Sequence, residues 1–200
     1  MRAPAALAAC VALLGAPAQA QEFPQEWQPV TLPLENPQLE LGGGEEFAWL
    51  AYRTPDRWGD GELTFELFAT DDDDILVSGE LTRLSPPQPG PFHYELGLGI
   101  YSAFVNRPGD DLSYGLSIVG GARLQPPGWP IRLEGGATWS PDLITFDGGD
   151  QYLDAEARVE VELGGSATAF AGYRVIEVDY DDGFEKDVAD GYVVGFRFRL

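Results

Sequence analysis

Gln151-Tyr152-Leu153-Asp154-Ala155-Glu156-Ala157-Arg158-Val159-Glu160-Val161-Glu162-Leu163 decides the fold. Every odd position from Leu153 is apolar, and the even positions carry Tyr152, Asp154, Glu156, Arg158, Glu160 and Glu162. Side chains alternate faces along a strand, so this strand has one apolar face and one almost wholly ionic face. The alternation recurs in most segments after Gly61. Behind a secretory signal, it reads as an all-β fold: an antiparallel up-and-down transmembrane β-barrel of 8 to 10 strands, apolar outside and polar within.

The signal is Met1 to Ala20. Arg2 gives the positive start, Ala5 to Leu14 the short apolar run, and Ala18-Gln19-Ala20 the A-x-A cleavage site. Leu7-Ala8-Ala9-Cys10 has the look of a lipoprotein box but lies inside the apolar run, which argues against lipidation. Cys10 is the only cysteine, so cleavage leaves no disulfide and no thiol chemistry. The expected organisation is a cleaved signal over 1–20, an extended proline-containing lead-in over 21–37, and a barrel over 38–200.

Acidity excludes one class of partner. The chain has 33 acidic against 12 basic residues and a formal net charge of −21, with Lys186 its single lysine. Such a surface repels nucleic acid.

Eight alternating segments follow Gly61, beginning near Glu62, Ile75, Phe92, Leu112, Ile131, Gln151, Ala167 and Val188. A hairpin of Gln38–Leu41 and Glu45–Arg53 around Gly42-Gly43-Gly44 would make ten. The second arm carries Phe47, Trp49, Leu50 and Tyr52 and is apolar on both faces, so its orientation is ambiguous. Short Pro/Gly-rich connections alternate with acidic, mostly longer ones. Outer-membrane barrels have short periplasmic turns and longer outer loops, which puts both barrel ends in the periplasm. Trp139, Phe104 and Tyr114 at outer strand ends, and Phe92, Trp129, Phe196 and Phe198 at inner ends, fit two aromatic girdles.

Residues Gly97 to Leu200 resemble the YfaZ family of outer-membrane proteins. The resemblance rests on Trp139-Ser140-Pro141-Asp142, Gln151-Tyr152 with Asp154-Ala155, Ala171-Gly172-Tyr173-Arg174, and Val188-Ala189-Asp190-Gly191-Tyr192 with Val194-Gly195. It implies the outer membrane and no particular reaction. The chain departs from barrel proteins of this kind by ending in Leu200 rather than an aromatic residue, although Phe196 and Phe198 keep the alternate-residue pattern. The expected partners are outer-membrane lipid, lipopolysaccharide and, through the C-terminal strand, the barrel assembly machinery.

Three functions compete. The first is a structural envelope barrel whose lumen is filled by an ion-pair network of Arg132, Glu134, Glu156, Arg158, Glu160, Glu162, Arg174, Arg197 and Arg199. The second is a narrow, cation-preferring channel. The third is an outer-leaflet lipid-modifying enzyme, which would need His93 with Ser102 or Ser113. His93 falls at the opposite end of its strand from both serines, on the order of 30 Å away at about 3.3 Å per residue, so no enzymatic activity is expected. If Ile131 sits near Leu163, Arg132 faces Glu162 and Glu134 faces Glu160. A three-residue Gly164-Gly165-Ser166 turn sets Glu156 opposite Arg174. Val159→Arg, on the apolar face, should block assembly, and the inward Glu160→Gln should be far milder. No cofactor is expected. Weak Ca²⁺ or Mg²⁺ binding is assigned to the acidic loops, through Asp71, Asp72, Asp73, Asp74, Asp179, Asp181 and Asp182. Asp179-Tyr180-Asp181-Asp182-Gly183 begins like an EF-hand but lacks the spacing of its glycine and final glutamate.

Overall fold

A computed structural model describes residues 36–56, 61–85, 91–106, 112–126 and 128–200. The expected signal and nearly all of the lead-in lie outside the described residues.

The alternating segments become strands because one face of each buries against the lumen contents while the other stays out of it. The strands are β1 (Gln38–Gly43), β2 (Phe47–Pro55), β3 (Gly61–Thr70), β4 (Ile75–Leu84), β5 (Phe92–Phe104), β6 (Leu112–Leu124), β7 (Ile131–Ser140), the two-residue β8 (Thr145–Phe146), β9 (Gly149–Gly164), β10 (Ala167–Tyr180) and β11 (Glu185–Arg199). The ten long strands pair antiparallel in chain order, with β8 laid beside β6. Six residue pairs, Gln38↔Arg199 to Gly43↔Val194, close β1 onto β11. The result is a closed ten-stranded barrel, with the N-terminal hairpin inside the ring. That hairpin turns over Gly44 to Glu46, later than the three glycines suggest, and β1 runs on to Gly43.

Over most of the strands the outward face is apolar. Leu98, Ile100, Leu116, Ile118, Phe65, Val159, Val194 and Phe196 are all exposed, as are the expected girdle residues Phe92, Phe104, Tyr114, Trp129, Trp139 and Phe198.

Inside, the barrel is zoned. Towards the end that holds the start of β1 and the end of β11, the lumen is ionic. Towards the opposite, loop end it is apolar: Trp49, Phe68, Leu76, Tyr101, Tyr152, Phe170, Ile176, Val178 and Tyr180 pack together. Tyr101 and Tyr152 stack with centroids 4.2 Å apart. Sequence reading expected charged side chains to fill the lumen; at the loop end apolar groups fill it instead.

Two inward glycines are required by this packing. A Cβ at Gly195 would collide with the Leu41 carbonyl and the Phe170 ring, and one at Gly172 with the Ala157 carbonyl and Arg158. Gly195→Val is therefore expected to cost about 1–3 kcal/mol through overpacking. Gly165→Val, with open space at its Cβ, should leave the melting temperature of the refolded protein nearly unchanged.

Candidate functional site: the lumen ion-pair network

The ionic zone is built by strands that point every second side chain inward. Glu40, from the short β1, lies at its centre and is 1 % exposed. Arg158 Nη1 of β9 donates to Glu40 at 2.9 Å, and Arg197 Nε of β11 at 2.8 Å. Arg53 of β2 approaches it to 3.5 Å, and the Trp49 indole N–H donates to it at 3.2 Å. One carboxylate thus joins β1, β2, β9 and β11.

Two further carboxylates extend the cluster. Glu160 contacts Arg158 at 2.9 Å, Arg197 at 3.0 Å, and Arg132. Glu134 contacts Arg158 at 2.9 Å and Arg123 at 3.4 Å. Arg123 also reaches Glu95 at 3.1 Å. Higher in the barrel Arg174 binds Asp154 at 2.6 Å and Glu66 at 2.5 Å. Its guanidinium lies 5.1 Å from the ring centroids of both Trp49 and Phe68. Arg158 likewise stands 4.8 Å from the Phe170 ring. The seam between the ionic and apolar zones is therefore made of guanidinium faces on aromatic rings, an attraction that strengthens when water is excluded.

The expected β7–β9 register needs correction. Ile131 pairs with Val161, Arg132 with Glu160 and Glu134 with Arg158. A two-residue slip keeps every side chain on its own face, so alternation alone does not choose between the two registers. Charge does choose. The expected register set Glu134 directly opposite Glu160, and like charges directly opposite are destabilising. The observed register sets opposite charges across both rungs. On the other side of β9, Glu156 does fall opposite Arg174. Arg174 nevertheless turns its guanidinium to Asp154 and Glu66, and Glu156 bonds Arg158 at 3.2 Å.

Seven of the nine residues singled out from sequence, Arg132, Glu134, Glu156, Arg158, Glu160, Arg174 and Arg197, lie in this interior. Glu162 and Arg199 lie at the open rim, 3.8 Å apart and about half exposed. Glu40 and Arg53 were missed because β2 is apolar on both faces and hides which way Arg53 points. Glu66, Glu95, Arg123 and Asp154 were visible as inward positions but had no assigned partner. The buried Glu160 carboxylate faces three arginines, so Glu160→Gln leaves guanidinium charge uncompensated.

The acidic loops part company. Lys186 reaches across the barrel mouth to Asp72 at 2.8 Å and Asp74 at 3.5 Å. Asp74 is fully buried and accepts the Asn106 backbone N–H at 2.8 Å. Asp181 gathers with Asp142 and Asp150, carboxylate oxygens within 4.8 Å of one another. Asp182 accepts the Phe184 N–H, and Asp179 faces outward. Asp71 and Asp73 lie exposed in the β3–β4 turn. His93 sits across from Arg123 at the chain-end side of the barrel, whereas Ser113 bonds the Tyr101 hydroxyl near the loop end.

Fold and interior define a class: a closed antiparallel ten-stranded barrel, apolar outside, with a packed, partly ionic lumen. Within it, a family model described as "YfaZ precursor" matches residues 62–200, and the chain belongs to the YfaZ family. The match begins at the start of β3, after the β1–β2 hairpin that supplies Glu40, Trp49 and Arg53. No curated protein and no solved structure matches the chain.

Glu40→Ala is expected to destabilise the barrel by about 3–5 kcal/mol, because it leaves buried guanidinium groups unpaired. Glu162→Ala, at the exposed rim, should cost at most about 1 kcal/mol. Urea unfolding of the refolded variants, followed by gel mobility without boiling, separates the two.

Proposed function

We propose that the chain is an outer-membrane barrel, exported through a cleaved signal, that serves the envelope structurally and passes no steady current. The observation that carries this reading is the Glu40–Arg158–Arg197–Glu160 cluster. It joins β1, β11 and β9 on one side of the wall, and the network reaches the far side through Arg53 with Glu134 and Arg174 with Glu66.

The membrane assignment is supported by the outward face. β5 offers apolar or aromatic side chains at nearly every outward position over its 13 residues. At about 3.3 Å per residue and a tilt near 40° this spans roughly 30 Å, enough for the apolar band of about 25 Å that such barrels carry. Lipid and lipopolysaccharide are its partners, with the C-terminal strand the segment presented to the assembly machinery. No catalytic role and no resident cofactor belong to this reading. The Asp142–Asp150–Asp181 group is at most a weak place for Ca²⁺ or Mg²⁺.

A narrow cation-preferring passage is the second reading. A cavity of about 100 Å³ lies beside the network, lined by seven carboxylates, among them Glu66, Glu80 and Glu156, and only three guanidinium groups. Planar-bilayer recording decides between them. The sealed barrel gives no stable openings, and Arg158→Ala gives leak; large, stable, cation-selective openings of the unmodified protein would establish the channel instead.

The membrane claim has its own test. Val159 is exposed midway along β9. Val159→Arg places a charge on the lipid-facing apolar surface at a cost of up to about 2–4 kcal/mol, and is expected to abolish recovery in the outer-membrane fraction. Normal assembly of that variant would refute the placement.

A further inference from the structure

Along β10 and β11 the polarity of the wall reverses. Up to Val175 the outward positions of β10 are Ala167, Ala169, Ala171, Tyr173 and Val175, while Arg174 points inward and is buried. From the next residue the pattern inverts. Ile176, Val178 and Tyr180 are buried inside, and Glu177 and Asp179 face out. β11 does the same: Phe198, Phe196, Val194 and Tyr192 face out below, and Asp190, Asp187 and Glu185 face out above. The register pairs these outward acids in rows, Glu177 with Asp187 and Asp179 with Glu185. A bulge between Ile176 and Glu177 leaves Val188 unpaired, so that Val188 and Ala189 are both buried.

The two halves of each strand obey opposite rules, and each rule has one solvent that explains it. Apolar-out with ionic-in suits hydrocarbon outside. Acidic-out with apolar-in is the ordinary pattern of a protein face in water. The switch falls at Tyr173 and Tyr192, which meet edge to face with centroids 5.3 Å apart. The Tyr173 hydroxyl donates to Asp190, one row higher. Rings with an apolar body and a polar tip belong at the membrane–water boundary.

Resting on the outer-membrane reading above, we infer that the outer lipid boundary on this side of the barrel lies at Tyr173 and Tyr192. Above it, β10 and β11 stand clear of lipid as a water-facing cap with its own apolar core. The partner of the lower face is the acyl layer; the upper face touches none of it. Ile176, Val178, Tyr180, Val188 and Ala189, part of the inner apolar cluster, are then the core of this cap. Lys186 ties the cap to Asp72 and Asp74 across the mouth.

The test uses single cysteines in the chain with Cys10 replaced by serine. Ala171→Cys and Val194→Cys lie below the boundary; Glu177→Cys and Asp187→Cys lie above it. Each protein is refolded into phosphatidylcholine vesicles carrying a charged maleimide on both sides of the membrane. The two upper positions are expected to react on the order of tenfold or more faster than the two lower ones, since hydrocarbon excludes a charged reagent. All four should react alike after unfolding in detergent. Protection of all four in vesicles would overturn the boundary while leaving the membrane reading intact. Rapid reaction at all four, with the protein recovered outside the vesicles, would overturn both.

Discussion

A closed barrel that turns its apolar side chains outward has to satisfy charge in a space it cannot leave. Glu40 shows how the constraint is met. It is buried at the narrowest seam of the sheet, and guanidinium groups from three other strands converge on it. Such a cluster adds little net stability over a well-packed apolar interior, because desolvation offsets much of the attraction. Its effect is on which arrangement is allowed. The β7–β9 register, the direction of β2 and the closure of β1 on β11 all follow from where a positive group can meet a negative one.

The ring of strands was legible because the outward face repeats with a period of two over most segments, and β9 states the rule without exception. Other features were not. β2 carries large apolar residues on both faces because Trp49 and Ala51 serve the interior while Leu50 and Tyr52 serve the exterior. No alternation survives there to orient Arg53. Register escaped for a different reason: a slip of two residues costs nothing in pattern and is decided only by side-chain partners on the neighbouring strand. The apolar zone escaped because the stretch from Asp179 to Asp187 reads as an acidic outer loop, when β10 runs on to Tyr180 and β11 begins at Glu185 with the polarity of the faces exchanged. Ile176, Val178 and Tyr180 alternate with Glu177 and Asp179 as cleanly as the residues below them, but with the faces exchanged.

The same exchange links interior and exterior. On β10 and β11, buried arginine stands behind the apolar outward rows, and tyrosine, valine and isoleucine stand behind the acidic ones. The joint between them is Trp49, whose indole bonds Glu40 below while its ring carries the Arg174 guanidinium. The interior thus joins two chemistries at one aromatic side chain.

Glu40 lies 118 residues from Arg158 and 157 from Arg197. The first strand made must therefore wait for almost the last before its carboxylate finds either partner. Contacts so distant in the chain are slow to form, because the entropy of closing the loop is lost before any attraction is gained. A nascent barrel lacking β11 would leave Glu40 at a free edge without Arg197, with Arg53 of the neighbouring β2 as its nearby cation. Closing the ring is then the step that gives this one buried acid its full set of partners.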